Sequence, residues 1–371
     1  MSRMTRRDFL KWMAAAAAAG VLAPAGCKPA ATQTEAEPTA TQTKVAPTAT
    51  QAKAEPTATQ TNAEPTATRS GAAPTATPAQ AEPTATQSRA EPTATVSASP
   101  SGGQAYMAIV HGADPAAITE AAVKALGGIE RFVKSGDNVI IKPNMCVNYS
   151  TPEYAATTNP TVVATLVRLC KGAGAKRIRI MDTPYTGDPE SAYHISGIYD
   201  AVVGAGGEME LMSSLKYASL DIPKGRDITS WPIYRDVMEA DVVINVPIAK
   251  HHGSSRLTLG GKNLMGIADR ANQFHSNLHQ RIADLNTVVR PALTLMDAVR
   301  ILTAHGPGGG NLADVKQTDM VIASHDIITV DSYTTTLFGL TADDIGFVRL
   351  GAEMGLGEKD WSKVKVEEIS V

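Results

Sequence analysis

Residues 241–279 read DVVINVPIAKHHGSSRLTLGGKNLMGIADRANQFHSNLH. The run Val242–Val246 is apolar without the every-other-residue alternation of a half-exposed strand, so it is expected to be covered on both faces. Strands of that kind belong inside parallel sheets, between layers of helix. The polar residues come late. Asn245, Lys250, His251 and His252 fall at or just past the end of the run, and a glycine-rich turn, Gly260-Gly261, then presents Lys262 and Asn263. His275 and His279 follow at helical spacing. Four of the chain's eight histidines lie in this one stretch, which marks it as a site.

Outward from it, the same pattern repeats. Strands are predicted over 106–110, 138–142, 177–181, 208–212, 241–246, 292–296, 320–323 and 363–369. Between them the helices open with one grammar: Asp114-Pro115, Asn159-Pro160 and Asp188-Pro189 each place a capping side chain before a proline at the first helical position. Gly172 and Gly204 stand near helix ends, where a positive φ is expected. Strands alternating with helices imply an α/β domain, a single domain with a largely parallel sheet flanked by helices. Several strands deliver a polar residue at the carboxyl end: Lys142 and Asn144, Asp182, Asn245, Asp297, and His325-Asp326. In a parallel sheet these ends share one edge, where ligands bind. Taken singly, each Asp or Asn reads as a helix cap; taken together, they read as a convergent site.

The first hundred residues are of another kind. Thr5-Arg6-Arg7-Asp8-Phe9-Leu10-Lys11 matches the twin-arginine export pattern, and the apolar segment after it is too short to span a membrane comfortably. Ala25-Gly26-Cys27 closes a lipoprotein-like cleavage box, although Pro24 stands where an aliphatic residue is usual, and Cys27 is the expected lipidation site. Residues 1–27 are thus read as signal. Over 28–103, Pro-Thr-Ala-Thr recurs every nine residues from Pro38 to Pro92. Apart from Val45 and Val96 that repeat has no large apolar residue to bury, so it is expected to be a disordered tether. A coil of this length reaches roughly 50 Å. The globular domain is then 104–371, on the outer face of the membrane, anchored through its lipid. The twin-arginine translocase is its partner during export, and because that route carries folded proteins it suggests a cofactor or metal loaded beforehand.

Composition narrows the chemistry. A net charge of -3 gives no support for a nucleic-acid surface. Three cysteines, Cys27, Cys146 and Cys170, cannot ligate a four-cysteine iron–sulfur cluster or zinc site within one chain. After export Cys146 and Cys170 either pair or remain as buried free thiols. Gly260-Gly261-Lys262-Asn263 offers backbone N–H groups and a lysine to an anion, but Arg256 occupies the first glycine position of a Walker loop. The glycines after His305 do not match the dinucleotide fingerprint. His275 and His279 have the spacing of a two-histidine metal site, with Ser276 in place of a protease glutamate.

The pieces Ile141-Lys142-Pro143-Asn144, Thr158-Asn159-Pro160, Asn245 through Lys250, Gly261-Lys262-Asn263-Leu264-Met265-Gly266, Ile282-Ala283-Asp284-Leu285, and Gly306-Pro307 through Asp331 resemble domain of unknown function 362. That resemblance implies an α/β domain and no settled activity. Some members of the family are fused to ferredoxin modules, whose cysteines this chain lacks. The Gly-Gly-Lys-Asn turn before Gly266-Ile267 is also similar to the glycine-basic turn of nickel-pincer lactate racemases. The expectation is an extracytoplasmic, lipid-anchored enzyme for a small anionic substrate. Lys142, Asn144, Asn245, Lys262 and Asn263 would bind that substrate; Lys250, His251 and His252 would be catalytic. The cofactor is undetermined, with a divalent metal expected on His275, His279 and either Asp182 or Asp297. The alternatives are a non-catalytic lipoprotein with a basic ligand-binding cleft, and a surface scaffold that leaves the polar strand ends without a purpose.

Overall fold

The computed structural model describes residues 106–371. The export signal, Cys27 and the repeat tether lie outside the described residues. Strands β1 (Met107–His111), β2 (Asn138–Pro143), β3 (Arg177–Ile180), β4 (Glu208–Met209), β5 (Tyr217–Asp221), β6 (Ser230–Tyr234), β7 (Val242–Val246), β8 (Ile248–His252), β9 (Arg256–Leu257), β10 (Leu293–Leu302), β11 (Val315–Ser324) and β12 (Val366–Ser370) are assigned. The α-helices are α1 (Pro115–Ala125), α2 (Pro160–Gly172), α3 (Pro189–Ile195), α4 (Ile198–Ala205), α5 (Arg235–Glu239), α6 (Leu259–Asn263), α7 (Leu278–Asn286), α8 (Ile327–Thr336) and α9 (Gly346–Glu353).

The main sheet runs in the order β12-β1-β11-β10-β7-β2-β3-β4, with β8 beside β10, β9 beside β8, and β5–β6 a separate hairpin. It is the α/β architecture expected, with one reversal. β11 is antiparallel to both its neighbours, β1 and β10, whereas the other adjacent pairs along the path are parallel. The connection from β10 to β11 contains only a short 3₁₀ turn, Leu312–Asp314. Antiparallel neighbours can be joined that way, while parallel ones need a crossover. His325 and Asp326 follow the reversed strand, so they lie at the opposite edge from the other polar strand ends, and the expectation that they join the site is corrected.

Apolar side chains of one strand alternate between two cores. Ala108, Val110, Val139 and Ile141 pack with α1, α2 and α4 on one face. Met107, Ile109 and Ile140 pack with α7, α8 and α9 on the other. This two-sided burial is why the strands read as continuous apolar runs.

The predicted caps are in place. Asp114 accepts from the Ala116 N–H at 2.9 Å, Asn159 from Thr161 at 2.9 Å and Asp188 from Ser191 at 2.8 Å, each contributing about 1 kcal/mol. The glycine assignments shift by two residues. Gly174 and Gly206, not Gly172 and Gly204, take positive φ (84° and 89°), because those helices run slightly further than expected.

Pro247, which has no N–H to give a ladder, separates β7 from β8. β10 pairs first with β7 (Leu293 with Ile244) and further along with β8 (Asp297 with Ile248). This offset carries Lys250, His251 and His252 beyond the carboxyl ends of β2 and β7, over the edge where Lys142 and Asn245 face each other in register.

Candidate functional site

The three central lysines differ in what they meet. Lys142, 1 % exposed, lies 2.7 Å from the Asp182 carboxylate. Its Nζ also donates to the Pro143 carbonyl and the Asn263 side-chain oxygen, both at 3.0 Å. Burial pulls the ammonium's pKa down, and Asp182 opposes that. Asp182 further accepts the Met145 and Thr183 N–H groups at 2.7 and 2.9 Å. A Cβ on Gly266 would overlap the Asp182 carboxylate and crowd Lys142 Nζ at 2.9 Å, so this close approach requires glycine.

Lys250, fully buried, has no carboxylate partner among the described residues. It donates to the Asn144 side-chain oxygen at 2.9 Å, the Ala156 carbonyl at 2.6 Å and the Pro307 carbonyl at 3.0 Å. All three of its N–H donors are then used. Lys142, expected to bind substrate, and Lys250, expected to act in catalysis, thus both have their Nζ donors engaged by internal oxygens.

Asn263 ties the two lysine sites together. Its oxygen accepts from Lys142 and, at 2.9 Å, from the Asn144 amide, and its amide donates to Asn245 at 2.8 Å. Asn245 in turn donates to the Gly260 carbonyl at 3.1 Å. The asparagines predicted to bind substrate are therefore brought together, as the frame that fixes the lysines.

Lys262 is different. It is half-buried and makes no hydrogen bond or ion pair among the described residues. Burial, with Lys250 and Lys142 nearby, lowers its pKa to about 8, while the Cys146 thiol acts in the opposite direction. His252, 8 % exposed, lies in the same charge field. Burial first, then Lys262, Lys250, His275 and His251, bring its pKa down to about 3, so it is neutral at pH 7. Its Nδ1 accepts the Ser254 N–H at 3.1 Å, which leaves the proton on Nε2. His251, half-buried, likewise accepts the Gly306 N–H on Nδ1 at 3.1 Å. Cys146 donates its thiol to the Pro307 carbonyl, 3.7 Å away, and both Cys146 and Cys170 are buried free thiols in this structure.

Residues 139–336 match the family described as "Domain of unknown function (DUF362)". The chain belongs to the DUF362 family. Residues 3–23 match the twin-arginine translocation signal, so the protein is exported across a membrane by that route. It is 26 % identical over 249 residues to "Thylakoid-associated protein sll1697" of Synechocystis sp. (strain ATCC 27184 / PCC 6803 / Kazusa), spanning 63 % of this chain and 73 % of that protein. Among solved structures it is similar to the lactate racemase apoprotein from Thermoanaerobacterium thermosaccharolyticum. The identity is 11 %, the TM-score 0.39, and the match spans 60 % of this chain and 57 % of the racemase. Likeness at that level carries no argument about activity.

In this DUF362 domain the four metal candidates do not meet. His275 sits in the 3₁₀ segment Ala271–Asn277 and bonds the Asn272 carbonyl at 3.0 Å, whereas His279 belongs to α7. Asn277, at φ -151° and ψ 61°, breaks the helix between them, so helical spacing puts them on no common face. His279 stacks on Phe347 with ring centres 6.0 Å apart. Asp182 is held by Lys142, and Asp297 accepts the Asn159 and Val299 N–H groups at 2.7 and 3.0 Å. Among the described residues no group of three or more His, Cys, Asp or Glu is arranged to hold a metal ion.

The glycine turn also differs from expectation. Residues Leu259–Asn263 form the short helix α6, and the Gly260 and Gly261 N–H groups donate to the buried Asp331 carboxylate at 2.6 and 2.8 Å. An internal carboxylate occupies the cradle predicted for an external anion. Burial lifts the pKa of Asp331 to about 7. In the sequence, its only signal as an anchor of this turn is its place in the family pattern.

Proposed function

We propose that this exported DUF362 protein is a lipid-anchored enzyme for a small anionic substrate, which it takes at the carboxyl edge of β2, β7 and β8. The observation that carries this reading is the contrast among the lysines. Lys142 has Asp182 as counter-ion, but Lys250 has only neutral oxygens and Lys262 has no partner among the described residues. Two positive charges held away from water without a carboxylate are unfavourable, and an incoming anion relieves that. Lys262 supplies the contact and Lys250 the field behind it. His252 is the neutral imidazole able to pass a proton beside it, with His251 the next residue along the strand.

The twin-arginine signal is the support for a cofactor or divalent ion loaded before export, and His252 and His275, close enough for their charges to interact, are the imidazoles it would meet near Lys262. Cys27 is the proposed lipid attachment. Calorimetric titration with acetate and with phosphate tests the anion site. Lys262→Ala is expected to weaken binding about ten- to a hundred-fold, the loss of one charge-assisted hydrogen bond of about 1.5–3 kcal/mol. Binding unchanged in that variant would remove the reading.

A further inference from the structure

The unpartnered lysine also has the features of a nucleophile. We propose that Lys262 is a carbonyl-reactive amine, and that the anionic ligand of this site carries an aldehyde or ketone which Lys262 captures as an iminium. The inference deepens the proposed anionic site and rests on it for the ligand's charge.

Geometry carries it. An ammonium held by carboxylates or carbonyls, as Lys142 and Lys250 are, has its nitrogen engaged on every side and cannot attack. Lys262 Nζ is engaged by no group among the described residues. It projects from α6, whose start is pinned by Asp331 and whose end is pinned by Asn263, so the amine is presented from a fixed base. Lys250 and Lys142 lie close enough to act on its charge, and they favour the neutral amine over the ammonium. A desolvated lysine beside other cations is a recognised way to make an amine nucleophilic near neutral pH.

The step balances without a co-reactant. The ammonium gives a proton to solvent, and the amine nitrogen forms a bond to the carbonyl carbon. The carbonyl oxygen leaves as water after taking two protons, one from the nitrogen and one from the medium. The sum is R–NH3+ plus O=C giving R–NH+=C plus water, so the positive charge stays on Lys262. A carboxylate in the same small molecule therefore keeps its counter-charge throughout, which points to 2-oxo acids and related anionic carbonyl compounds as the ligand class. His252, coupled to Lys262 and with its proton on Nε2, is the neighbour able to relay protons to the departing oxygen.

With a pKa of about 8, about a tenth of Lys262 is free amine at pH 7, against roughly one part in 2,500 for an ordinary lysine. The test is reductive trapping on the purified exported protein: glyoxylate or pyruvate with cyanoborohydride at pH 7, followed by peptide mass spectrometry. The expected result is an adduct on Lys262 formed at least tenfold faster than on the exposed Lys176 and Lys224, slowed by acetate. Lys262→Arg keeps the charge but forms no stable iminium, and it should lose the adduct while retaining its circular dichroism. Labelling of Lys262 no faster than Lys176 or Lys224 with both reagents would overturn the inference. The two proposals fail separately. Acetate binding lost in Lys262→Ala without trapping sinks the iminium alone, whereas trapping without acetate or phosphate binding sinks the anion site.

Discussion

Replacing Lys250 by methionine separates a strut from a ligand group. Lys250 is fully buried and spends its three donors on Asn144, Ala156 and Pro307. Methionine fills nearly the same volume, so little cavity is created, but three oxygens lose their donor. Each unsatisfied buried acceptor costs about 1–3 kcal/mol. Relief from burying a charge without a counter-ion offsets several kcal/mol of that. A net loss of about 2–4 kcal/mol is expected, or roughly 4–12 °C in melting temperature for a domain of this size. Urea unfolding followed through tryptophan fluorescence reads it, with Lys262→Met as the control. Lys262 has no acceptor among the described residues to orphan, so that variant should melt at or above the wild-type temperature. Equal stability of Lys250→Met and wild type would mean that the Lys250 hydrogen bonds contribute little, and would return Lys250 to the list of ligand groups.

The buried Asp331 should give stability a pH dependence of a particular sign. Its folded pKa of about 7 lies above the ordinary carboxylate value, so the folded state binds more protons than the unfolded one between about pH 4 and 7. Its contribution therefore falls as pH rises through that window, by at most about 1.4 kcal/mol per pH unit, and the difference between wild type and Asp331→Asn in chemical unfolding should show that slope. Gly266→Ala should cost about 2 kcal/mol or more in urea unfolding, because the new methyl group meets the Lys142–Asp182 pair; a neutral result would show that the pair can move aside. Replacing Arg6 and Arg7 by lysine should leave folded protein in the cytoplasm on cell fractionation, and continued export would point to a different route.

Much of the fold was legible because its determinants are local. Capping pairs such as Asn159-Pro160 and the apolar run Val242–Val246 act over a few residues, and each became the element predicted. The direction of β11 was less visible, since it depends on a connection without a crossover helix rather than on the strand's own composition. The site was legible as a gathering of Lys142, Asn144, Asn245, Lys250, Lys262 and Asn263, but their roles were not. Roles depend on partners far along the chain: Asp182 for Lys142, Pro307 for Lys250, and Asp331 for the Gly260-Gly261 turn. A lysine at a strand end looks the same in sequence whether its donors are spent or free. The His275 and His279 spacing failed for a related reason, because a backbone break at Asn277 has no proline or glycine to announce it.

Lys262 is a half-buried cation poised to take an anion. Its pKa can be measured directly by following the carbon next to Nζ by NMR in protein labelled at lysine, with and without saturating phosphate. The predicted result is a value near 8 in the free protein that rises by about one unit or more when phosphate binds, because the bound anion stabilises the ammonium. An ordinary lysine value that phosphate leaves unmoved would contradict it.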